Sequence, residues 1–331
     1  MQKIFESIEY FEKESGQKKF AITHDGYVHL YEPVDYILAL GGKRIRPALI
    51  IATAAYYGVP FSTSYNAAMA CELFHNFSLM HDDIMDGAET RRGQKTVHQK
   101  FDVNAAILSG DAMMMMAYDH LCKYNDTTAL GLVKVFTKMG LELCEGQRLD
   151  MDFENRSDVS IGEYIKMITN KTSVLLGACM QFGGILGGAN AEEQFHLYEF
   201  GKNIGIAFQI QDDILDTFGS EEQTGKRVGG DILNNKKTYL YLKSLELSDP
   251  VLKKQLLDWT DFKPIGLAEE EEKISGVKSI FTTLVVEEYA NQLKEAYKDL
   301  SISHLNQTTA LNSEGKEELV KFADFLVSRE K

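Results

Sequence analysis

Apolar residues recur at intervals of three and four along most of the 331-residue chain. Phe200, Ile204 and Phe208 form one such series, which the 3.6-residue period of an α-helix places on a single face. The alternation of apolar and polar residues that is typical of half-buried strands is almost absent. Residues 61–249 contain no proline, so the strongest helix breaker is missing from the middle of the chain. The pattern predicts an all-α protein with long helices.

Local start signals support these helices. Ser160 and Glu163 have the spacing of a capping box, and Asp102 precedes the apolar run 105–121. Together with the periodicity, they predict helices at 32–57, 63–86, 103–124, 128–153, 160–188, 191–218, 236–246 and 250–258. At least two more are expected between residues 270 and 328. Because no linker or low-complexity tract divides the chain, residues 1–331 are predicted to form one domain around a central cavity.

Composition narrows the range of partners. The 49 acidic and 35 basic residues give a formal net charge of −14, which argues against nucleic acid or an anionic membrane as the main partner. The least polar stretch, 175–189, contains Gln181 and five glycines and is too short to span a bilayer. Charged residues throughout the first fifteen positions argue against a signal peptide. The four cysteines lack C-x-x-C spacing, so a cytoplasmic protein with reduced thiols is expected.

Two aspartate clusters of the same form, HDDIMD and QDDILD, lie 130 positions apart. Asp82 with Asp86, and Asp212 with Asp216, are each separated by four positions, so a helix would project both carboxylates from one face. Like charges at this spacing repel, and a hard divalent cation would relieve the repulsion. One such cluster could be a solvated helix face. Two clusters in apolar surroundings favour Mg²⁺ bound through carboxylates and substrate phosphates.

Basic segments accompany both aspartate clusters. Arg91 and Arg92 follow the first cluster, and segment 41–47 precedes it with three cations. A third basic segment, formed by 225–231 with 236–237, follows the second cluster. Guanidinium groups bind phosphate in a bidentate manner, and glycines beside them let the backbone approach an anion. Each segment alone could be a solvated surface or a helix start. Their combination with the aspartates predicts a phosphorylated substrate.

Helical phase connects further polar residues to the two clusters. His75 lies seven positions before Asp82, and Gln209 lies three positions before Asp212. At these spacings a helix places each residue on the same face as the carboxylates of its motif. A single histidine on a helix is usually structural, and both roles remain open for His75. Lys171 and Thr172 interrupt an otherwise apolar helix, where a lysine that points inward needs an anionic partner.

In combination and in this order, the motifs resemble those of the trans-type (head-to-tail) isoprenyl diphosphate synthases. The residues that carry the resemblance are GGKRIRP at 41–47, HNFSLMHDDIMD at 75–86, RRG at 91–93, GQRLD at 146–150, KT at 171–172, FQIQDDILD at 208–216 and GKRVGGD at 225–231. The resemblance covers roughly residues 30–240. It implies an all-α isoprenoid synthase-type bundle of about ten core helices around a deep cavity. It also implies a homodimer and three Mg²⁺ ions in the closed complex.

The resemblance assigns residues to three groups. The metal ligands are expected to be Asp82 and Asp86 for two ions and Asp212 for the third, with Asp83, Asp150, Asp213 and Asp216 in the acidic surroundings. The allylic diphosphate is expected to contact Arg91, Lys171, Thr172, Gln209, Lys226 and Lys236, although Lys237 could replace Lys236. Isopentenyl diphosphate is expected to contact Gly42, Lys43, Arg46, His75 and Arg92. The residues expected to act in catalysis are Asp82, Asp86, Asp212, Arg91, Lys171 and Lys226.

The reaction that the resemblance implies is elongation of an allylic diphosphate (dimethylallyl, geranyl or farnesyl) by isopentenyl diphosphate. Metals and cations would stabilise the departing pyrophosphate, so that the allylic carbon can ionise in a cavity that excludes water. The double bond of isopentenyl diphosphate would attack the cation. Released pyrophosphate would remove the proton, so no side chain is assigned as the base.

Product length is expected to depend on the helix that carries the first aspartate cluster. Phe77 lies five residues before Asp82, about 7.5 Å along a helix, and Phe74 and the small Ser78 lie nearby. On residue type alone Phe77 could be an ordinary core residue. In the family that it resembles, a bulky aromatic here closes the cavity for short-chain products. The sequence therefore favours a geranylgeranyl product of twenty carbons, with a farnesyl product of fifteen as the alternative.

Three other functions share parts of this pattern. A class I terpene cyclase shares the first motif but usually has an Asn/Asp-Ser/Thr-Glu pattern in place of the second. A non-catalytic subunit of a heteromeric synthase usually lacks one cluster or its basic neighbours. A simple divalent-ion binding protein would not need three basic segments. The chain retains both clusters and all three segments, which favours the synthase.

Overall fold

The computed structural model describes residues 1–24, 26–220 and 227–328, except for the side chains of Ile22 and Thr23. The described α-helices, in chain order, are α1 (Gln2–Gly16), α2 (Phe20–Thr23), α3 (Val28–Ala39), α4 (Ile45–Tyr56), α5 (Phe61–Met85), α6 (Val97–Lys100), α7 (Val103–Leu121), α8 (Asp126–Glu154), α9 (Ile161–Ile168), α10 (Val174–Leu186), α11 (Ala191–Phe218), α12 (Gly230–Leu233), α13 (Tyr239–Leu247), α14 (Pro250–Asp261), α15 (Leu267–Thr283), α16 (Val286–Gln307) and α17 (Ser313–Val327). A π-helix, Thr169–Ser173, joins α9 to α10. Within the described ranges the only strands are β1 (Thr90–Arg91) and β2 (Gln94–Lys95), which form an antiparallel hairpin.

The all-α prediction is confirmed, and both start signals have the expected geometry. The Ser160 hydroxyl accepts the N–H of Glu163, and the Glu163 carboxylate accepts the N–H of Ser160. The Asp102 side chain accepts the N–H of Ala105 at the start of α7. These bonds satisfy backbone donors that the first turn of a helix leaves without partners.

The prediction of one helix over 32–57 is wrong, because α3 ends at Ala39 and α4 begins at Ile45. Gly41 and Gly42 have φ angles of 79° and 140°, and Arg44 has a φ of 48°. A right-handed helix cannot continue through residues with these positive φ angles. Apolar residues on both sides of the break have helical spacing, which is why the pattern did not reveal it.

The predicted helix 160–188 is also interrupted, by the π-helix. The C-terminal region contains α15, α16 and α17, in agreement with the expectation of at least two helices there. Helix α1 was not predicted.

Contacts divide the chain into two compact units, each assembled from segments that are distant in sequence. The first unit consists of Met1–Thr137, Cys179–Phe195 and Thr309–Glu318. Helix α4 lies in its core, with every residue of 47–54 buried. A Cβ atom on Gly183 would lie 2.4 Å from Cβ of Thr53, so glycine permits the close approach between α10 and α4.

The second unit consists of Lys138–Ala178, His196–Thr308 and Leu319–Lys331. Its core is built from buried residues of α9, α11, α13, α15 and α16, which include Tyr164, Ile210, Leu240, Phe281 and Ala290. None of the described helices is long and apolar enough to cross a membrane.

Candidate active site

The first aspartate motif lies at the C-terminal end of α5, in the first unit. Asp82 is half-buried and Asp86, the residue that follows the helix, is exposed. The helix dipole is negative at this end, so it disfavours the two carboxylates in addition to their mutual repulsion. A divalent cation would relieve both effects, and carboxylate oxygens are ligands that Mg²⁺ prefers.

Asp83, between these two residues, has a different environment. It is buried, and its carboxylate oxygens accept hydrogen bonds from Nε and Nη2 of Arg91 at 2.8 and 2.7 Å. Such bidentate, charge-assisted pairs are strong and directional. The pair therefore fixes strand β1 against α5 and brings Arg91 to the aspartate motif, as the sequence predicts.

The hairpin directs Arg92 away from Arg91. Its two turn residues, Arg92 and Gly93, have φ angles of 52° and 74°, which is the pattern of a type I′ turn. The Arg92 guanidinium packs against Gly42, where an added Cβ would lie 2.9 Å from both terminal nitrogens. The φ of 140° at Gly42 favours glycine, and the missing Cβ leaves room for the guanidinium, so the structure brings these two predicted residues together.

Arg46 and His75 form a second contact among the predicted substrate residues. Nη1 of Arg46 lies 3.3 Å from Nε2 of His75. Burial lowers the pKa of His75 well below its ordinary value, and the neighbouring guanidinium groups of Arg46 and Arg92 lower it further. The imidazole is therefore neutral near pH 7 and accepts from Arg46, which can only donate. Lys43, three residues before Arg46 in the sequence, is exposed.

The Nε atom of Arg46 is buried and has no hydrogen-bond partner among the described residues. Buried polar groups are normally paired, so an unpaired donor in a cluster of guanidinium groups suits an anionic ligand. Gly42, Arg46, His75 and Arg92 therefore form a cationic cluster in the first unit.

Arg44 has a structural role that the sequence did not indicate. It forms an ion pair with the buried Glu72 and donates to the Leu38 carbonyl at 2.6 Å. Asn76 also donates to Glu72, at 2.8 Å. These contacts hold the segment between α3 and α4, and the spacing of the three cations gives no signal that distinguishes Arg44 from its neighbours.

In the second unit, Asp150 joins two of the predicted substrate residues. Its Oδ2 atom accepts hydrogen bonds from Lys171 at 2.6 Å and from Lys236 at 3.2 Å. Although burial opposes ionisation, the two ammonium groups hold the pKa of Asp150 below its ordinary value. Lys237 points elsewhere, with its Nζ atom 4.9 Å from the ring centroid of Tyr241. Of the two adjacent lysines, Lys236 is therefore the one grouped with Lys171.

The π-helix positions Lys171 and Thr172. A Cβ atom on Gly146 of α8 would lie only 2.2 Å from the backbone nitrogen of Lys171, and one on Gly205 of α11 would lie 2.9 Å from Ser173. The widened turn is thus packed closely between two helices that carry glycine at the contact points. Single π-helical turns of this kind frequently occur at functional sites.

The second aspartate motif lies within α11, where its three aspartates have different environments. Asp213 is buried and accepts hydrogen bonds from Tyr164 at 2.6 Å and from Gln209 at 3.4 Å. Burial and the nearby Asp231 raise the pKa of Asp213 well above its ordinary value.

Asp216 is also buried, and its Oδ2 atom accepts the N–H of Asp231 at 2.8 Å. Asp212 is half-buried and thus the most accessible of the three. Asp216 therefore anchors the segment that follows α11 through the Asp231 backbone. Its role is thus structural and differs from the metal-binding role expected for Asp212. Tyr164 was not predicted, since a tyrosine on an apolar helix gives no signal of its hydroxyl's partner.

Lys226 and the adjacent Gly225 lie outside the described residues. Within the described ranges, no group of three or more histidine, cysteine, aspartate or glutamate side chains is arranged to hold a metal ion. Mg²⁺ usually binds proteins through one or two carboxylates and completes its shell with water and substrate phosphates. The pair Asp82 and Asp86 fits that mode of binding.

Aromatic side chains surround Phe77 in the first unit. Its ring centroid lies 5.6 Å from that of the buried Phe74 and 4.7 Å from that of His81. Phe74 in turn packs edge to face against Phe136 of α8 at 5.1 Å. The Ser78 hydroxyl donates to the His75 carbonyl at 2.8 Å, so it is satisfied within its own helix. The three residues predicted to limit product length thus lie on α5, two of them in an aromatic cluster.

Comparison with known proteins identifies the family. The polyprenyl synthetase family model matches residues 28–281. The chain belongs to the polyprenyl synthetase family. Its aspartate motifs and all the basic residues discussed above fall within the matched range.

The relatives within this family include several geranylgeranyl diphosphate synthases. That of Methanosarcina mazei is 37% identical over 91% of this chain and 90% of its own length. That of Sulfolobus acidocaldarius is 36% identical over 91% of both chains. A solved geranylgeranyl pyrophosphate synthase is 42% identical over the whole of both chains, with a TM-score of 0.94. The solved enzyme of Pyrococcus horikoshii is 33% identical over 98% of both chains, with a TM-score of 0.88.

As a polyprenyl synthetase, the protein is a prenyltransferase. Prenyl diphosphate synthases of this family use isopentenyl diphosphate and allylic diphosphates, and they generally use Mg²⁺. Both chemical requirements match groups described above: carboxylates for the cation and guanidinium and ammonium groups for the diphosphates.

Proposed function

We propose that this protein condenses an allylic diphosphate with isopentenyl diphosphate and that its main product is geranylgeranyl diphosphate. The observation that carries the proposal is the close match to a solved geranylgeranyl pyrophosphate synthase over the full length of both chains. Four curated relatives with 35 to 37% identity are also geranylgeranyl synthases.

Isopentenyl diphosphate binds the cationic cluster of the first unit. Arg46 and Arg92 contact its phosphates, His75 supports Arg46 as a neutral acceptor, and Gly42 lets the backbone approach the anion. Lys43 adds a further charge from the adjoining loop. The buried, unpaired Nε atom of Arg46 supports this assignment.

The allylic diphosphate binds the basic residues of the second unit. Lys171 and Lys236, now held by Asp150, contact its phosphates together with Thr172 and Gln209. Arg91 and Lys226 contribute to the same substrate, as the resemblance implies. The shared position of Lys171 and Lys236 on one carboxylate supports their action as a pair.

Asp82 and Asp86 bind two Mg²⁺ ions and Asp212 binds the third. Bound Mg²⁺ neutralises the diphosphate and so makes it a better leaving group. Asp83, Asp150, Asp213 and Asp216 act indirectly, because each is held in hydrogen bonds with Arg91, the two lysines, Tyr164 or the Asp231 backbone. These bonds keep Arg91, Lys171 and Lys236 in position.

The chemistry requires no side chain as nucleophile or base. The allylic C–O bond breaks and its electron pair leaves with pyrophosphate, whose charge Lys171 and Lys236 stabilise. The double bond of isopentenyl diphosphate supplies the electrons of the new C–C bond to the allylic carbon. Loss of a proton to pyrophosphate then forms the double bond of the product.

Product length depends on Phe77 and Phe74 on α5. Geranylfarnesyl synthases of Natronomonas pharaonis and Aeropyrum pernix are 33% and 32% identical to this chain, so a product of twenty-five carbons is the second candidate. The aromatic cluster around Phe77 supports the shorter product, because it fills space that a longer chain would need.

The protein acts as a cytoplasmic homodimer in which residues 1–331 work as one catalytic domain. The family match, which extends through both compact units, supports the single domain. Exposed apolar residues on one face of α7 support the dimer: Ile107, Leu108 and Met115 are 40, 58 and 62% exposed.

The catalytic assignment is tested by pyrophosphate release with Mg²⁺, isopentenyl diphosphate and farnesyl diphosphate. Asp82→Ala and Asp212→Ala are expected to lower turnover on the order of a hundredfold or more, because they remove stabilisation of the leaving group. Asp299→Ala, which removes an exposed aspartate on α16, is the matched control and should keep wild-type turnover. Wild-type turnover of either motif variant at saturating Mg²⁺ would refute its assignment.

A further inference from the structure

Lys273 on α15 is a buried lysine whose hydrogen-bond acceptors are both neutral groups. The residue is 1% exposed, and its Nζ atom donates to Oδ1 of Asn235 at 2.8 Å and to the Phe262 carbonyl at 3.0 Å. Burial lowers the pKa of this ammonium from its ordinary value. Moving an ammonium group out of water is costly, and neutral acceptors offset only part of that cost. An apolar side chain of similar length would fill the same space without it.

The bond to Asn235 acts on a residue with a left-handed backbone conformation. Asn235 has a φ of 51°, in a region that asparagine adopts more readily than most residues but less readily than glycine. It directly precedes Lys236, whose N–H donates to the Asp231 carbonyl at 2.9 Å. The contact with Lys273 thus holds the residue that directly precedes Lys236.

Helix α15 holds the other end of this segment as well. Gly229 has a φ of 88°, and a Cβ atom there would lie 2.7 Å from Ile274, the residue after Lys273. Arg227 forms an ion pair with Glu270, one turn earlier on the same face of α15. Glu270, Lys273 and Ile274 therefore form one continuous supporting face for residues 227–235.

This supported segment links the second aspartate motif to Lys236. Asp216 accepts the N–H of Gly229 through its carbonyl at 2.6 Å and the N–H of Asp231 through its carboxylate at 2.8 Å. The segment is thus fastened to α11 through Gly229 and Asp231 and to α15 at both of its ends, and Lys236 directly follows it.

We propose that Lys273 is a positioning residue that sets the orientation of Lys236 by holding Asn235 in its left-handed conformation. The inference rests on the proposed function, in which Lys236 contacts the allylic diphosphate. Lys273 itself touches neither substrate. Its loss should weaken binding of the allylic substrate and leave isopentenyl diphosphate binding and the chemical step nearly unchanged.

Steady-state kinetics of Lys273→Met tests this role. The KM for the allylic diphosphate is expected to rise about tenfold, while kcat and the KM for isopentenyl diphosphate change less than about twofold. Lys254→Met, the same substitution at an exposed lysine of α14, should match the wild type in all three constants. A wild-type allylic KM for Lys273→Met would overturn the inference, as would equal losses in all three constants.

A double-mutant cycle separates the inference from the proposed site. If Lys273 acts through Lys236, adding Lys273→Met to Lys236→Met should raise the allylic KM no further. A multiplicative increase would overturn the inference. A wild-type allylic KM for Lys236→Met alone would instead refute the proposed contact of Lys236 with substrate.

Asn235→Gly provides a second test that keeps the buried charge. Glycine adopts the left-handed conformation freely, so this variant removes the amide acceptor without straining the backbone. The same selective rise in allylic KM is expected, and it applies even if Lys273→Met fails to fold. An unchanged allylic KM in Asn235→Gly would contradict the proposed route from Lys273 to Lys236.

Discussion

His75 shows how a single residue adapts to a cluster of positive charges. Its depressed pKa means that below pH 6.5 the unfolded chain binds a proton that the folded protein excludes. Stability is therefore lost as the pH falls through the ordinary histidine range, by up to about 1.4 kcal/mol per pH unit. The neutral ring is what allows the imidazole to serve as an acceptor for Arg46.

His75→Gln should reduce this loss, because glutamine offers Arg46 an acceptor that does not titrate. The free energy of unfolding in urea, measured at pH 7.5, 6.0 and 5.0, is expected to fall less steeply for the variant than for the wild type. The contribution of His120, whose pKa is lowered to about 4, is present in both proteins and cancels. Identical slopes would contradict the neutral state of His75.

Phe77 is the residue expected to limit product length. Phe77→Ala removes the ring that packs between Phe74 and His81, and the space it leaves should admit a longer prenyl chain. Mass spectrometry of the products should show a shift to longer prenyl diphosphates. Phe5→Ala, at an exposed position of α1, serves as the control and should not change the distribution. Unchanged lengths for Phe77→Ala would remove Phe77 from this role.

The sequence predicted which charged residues lie at the site, but not which residue each of them would contact through a hydrogen bond or ion pair. Spacing placed Asp82, Asp83 and Asp86 together, whereas the bidentate contact of Asp83 with Arg91 depends on how the hairpin folds back on α5. Likewise, Arg44 and Arg46 are two positions apart and have different roles. Such differences arise from tertiary contacts that no local pattern encodes.

At the scale of the element, the π-helix Thr169–Ser173 is the feature that most affects the site. Gly146→Ala on α8 would place a Cβ atom 2.2 Å from the backbone nitrogen of Lys171. That backbone cannot move without displacing the π-helix. A loss of about 1–3 kcal/mol in the free energy of unfolding is expected from this overpacking.

Gly131→Ala is the matched control, because Gly131 lies on α8 like Gly146. The added Cβ atom would lie 3.6 Å from Ile185, an ordinary van der Waals distance. That variant should gain about 0.5–1 kcal/mol from the higher helix propensity of alanine. Denaturant unfolding measures both changes. Equal effects of the two substitutions would contradict the close packing of the π-helix at Gly146.

The long helices followed from the apolar period, while their interruptions did not. The break between α3 and α4 depends on the positive φ angles of Gly41, Gly42 and Arg44, and two glycines in sequence do not specify such angles. The π-helix is even less visible, because one extra residue in a turn hardly alters an apolar pattern. Both interruptions lie beside predicted substrate residues, where local preference and function conflict.

For the whole molecule, family membership gives the activity, and the proposed dimer gives an expected mass in solution. The wild-type protein should sediment with twice the mass of its 37.3 kDa chain. Leu108→Asp with Met115→Asp should convert it to a monomer by placing charges on the apolar face of α7. Ile265→Asp, at a residue that is 87% exposed, is the control and should remain dimeric. A wild-type monomer would contradict the proposed dimer.

The central claim is tested most directly by the length of the product. The purified protein would be incubated with Mg²⁺, labelled isopentenyl diphosphate and, in turn, dimethylallyl, geranyl or farnesyl diphosphate, and the products sized by mass spectrometry. The account predicts a main product of twenty carbons from each primer that is accepted. A main product of fifteen or twenty-five carbons would contradict the assigned product, and the absence of elongation with every primer would contradict the proposed function itself.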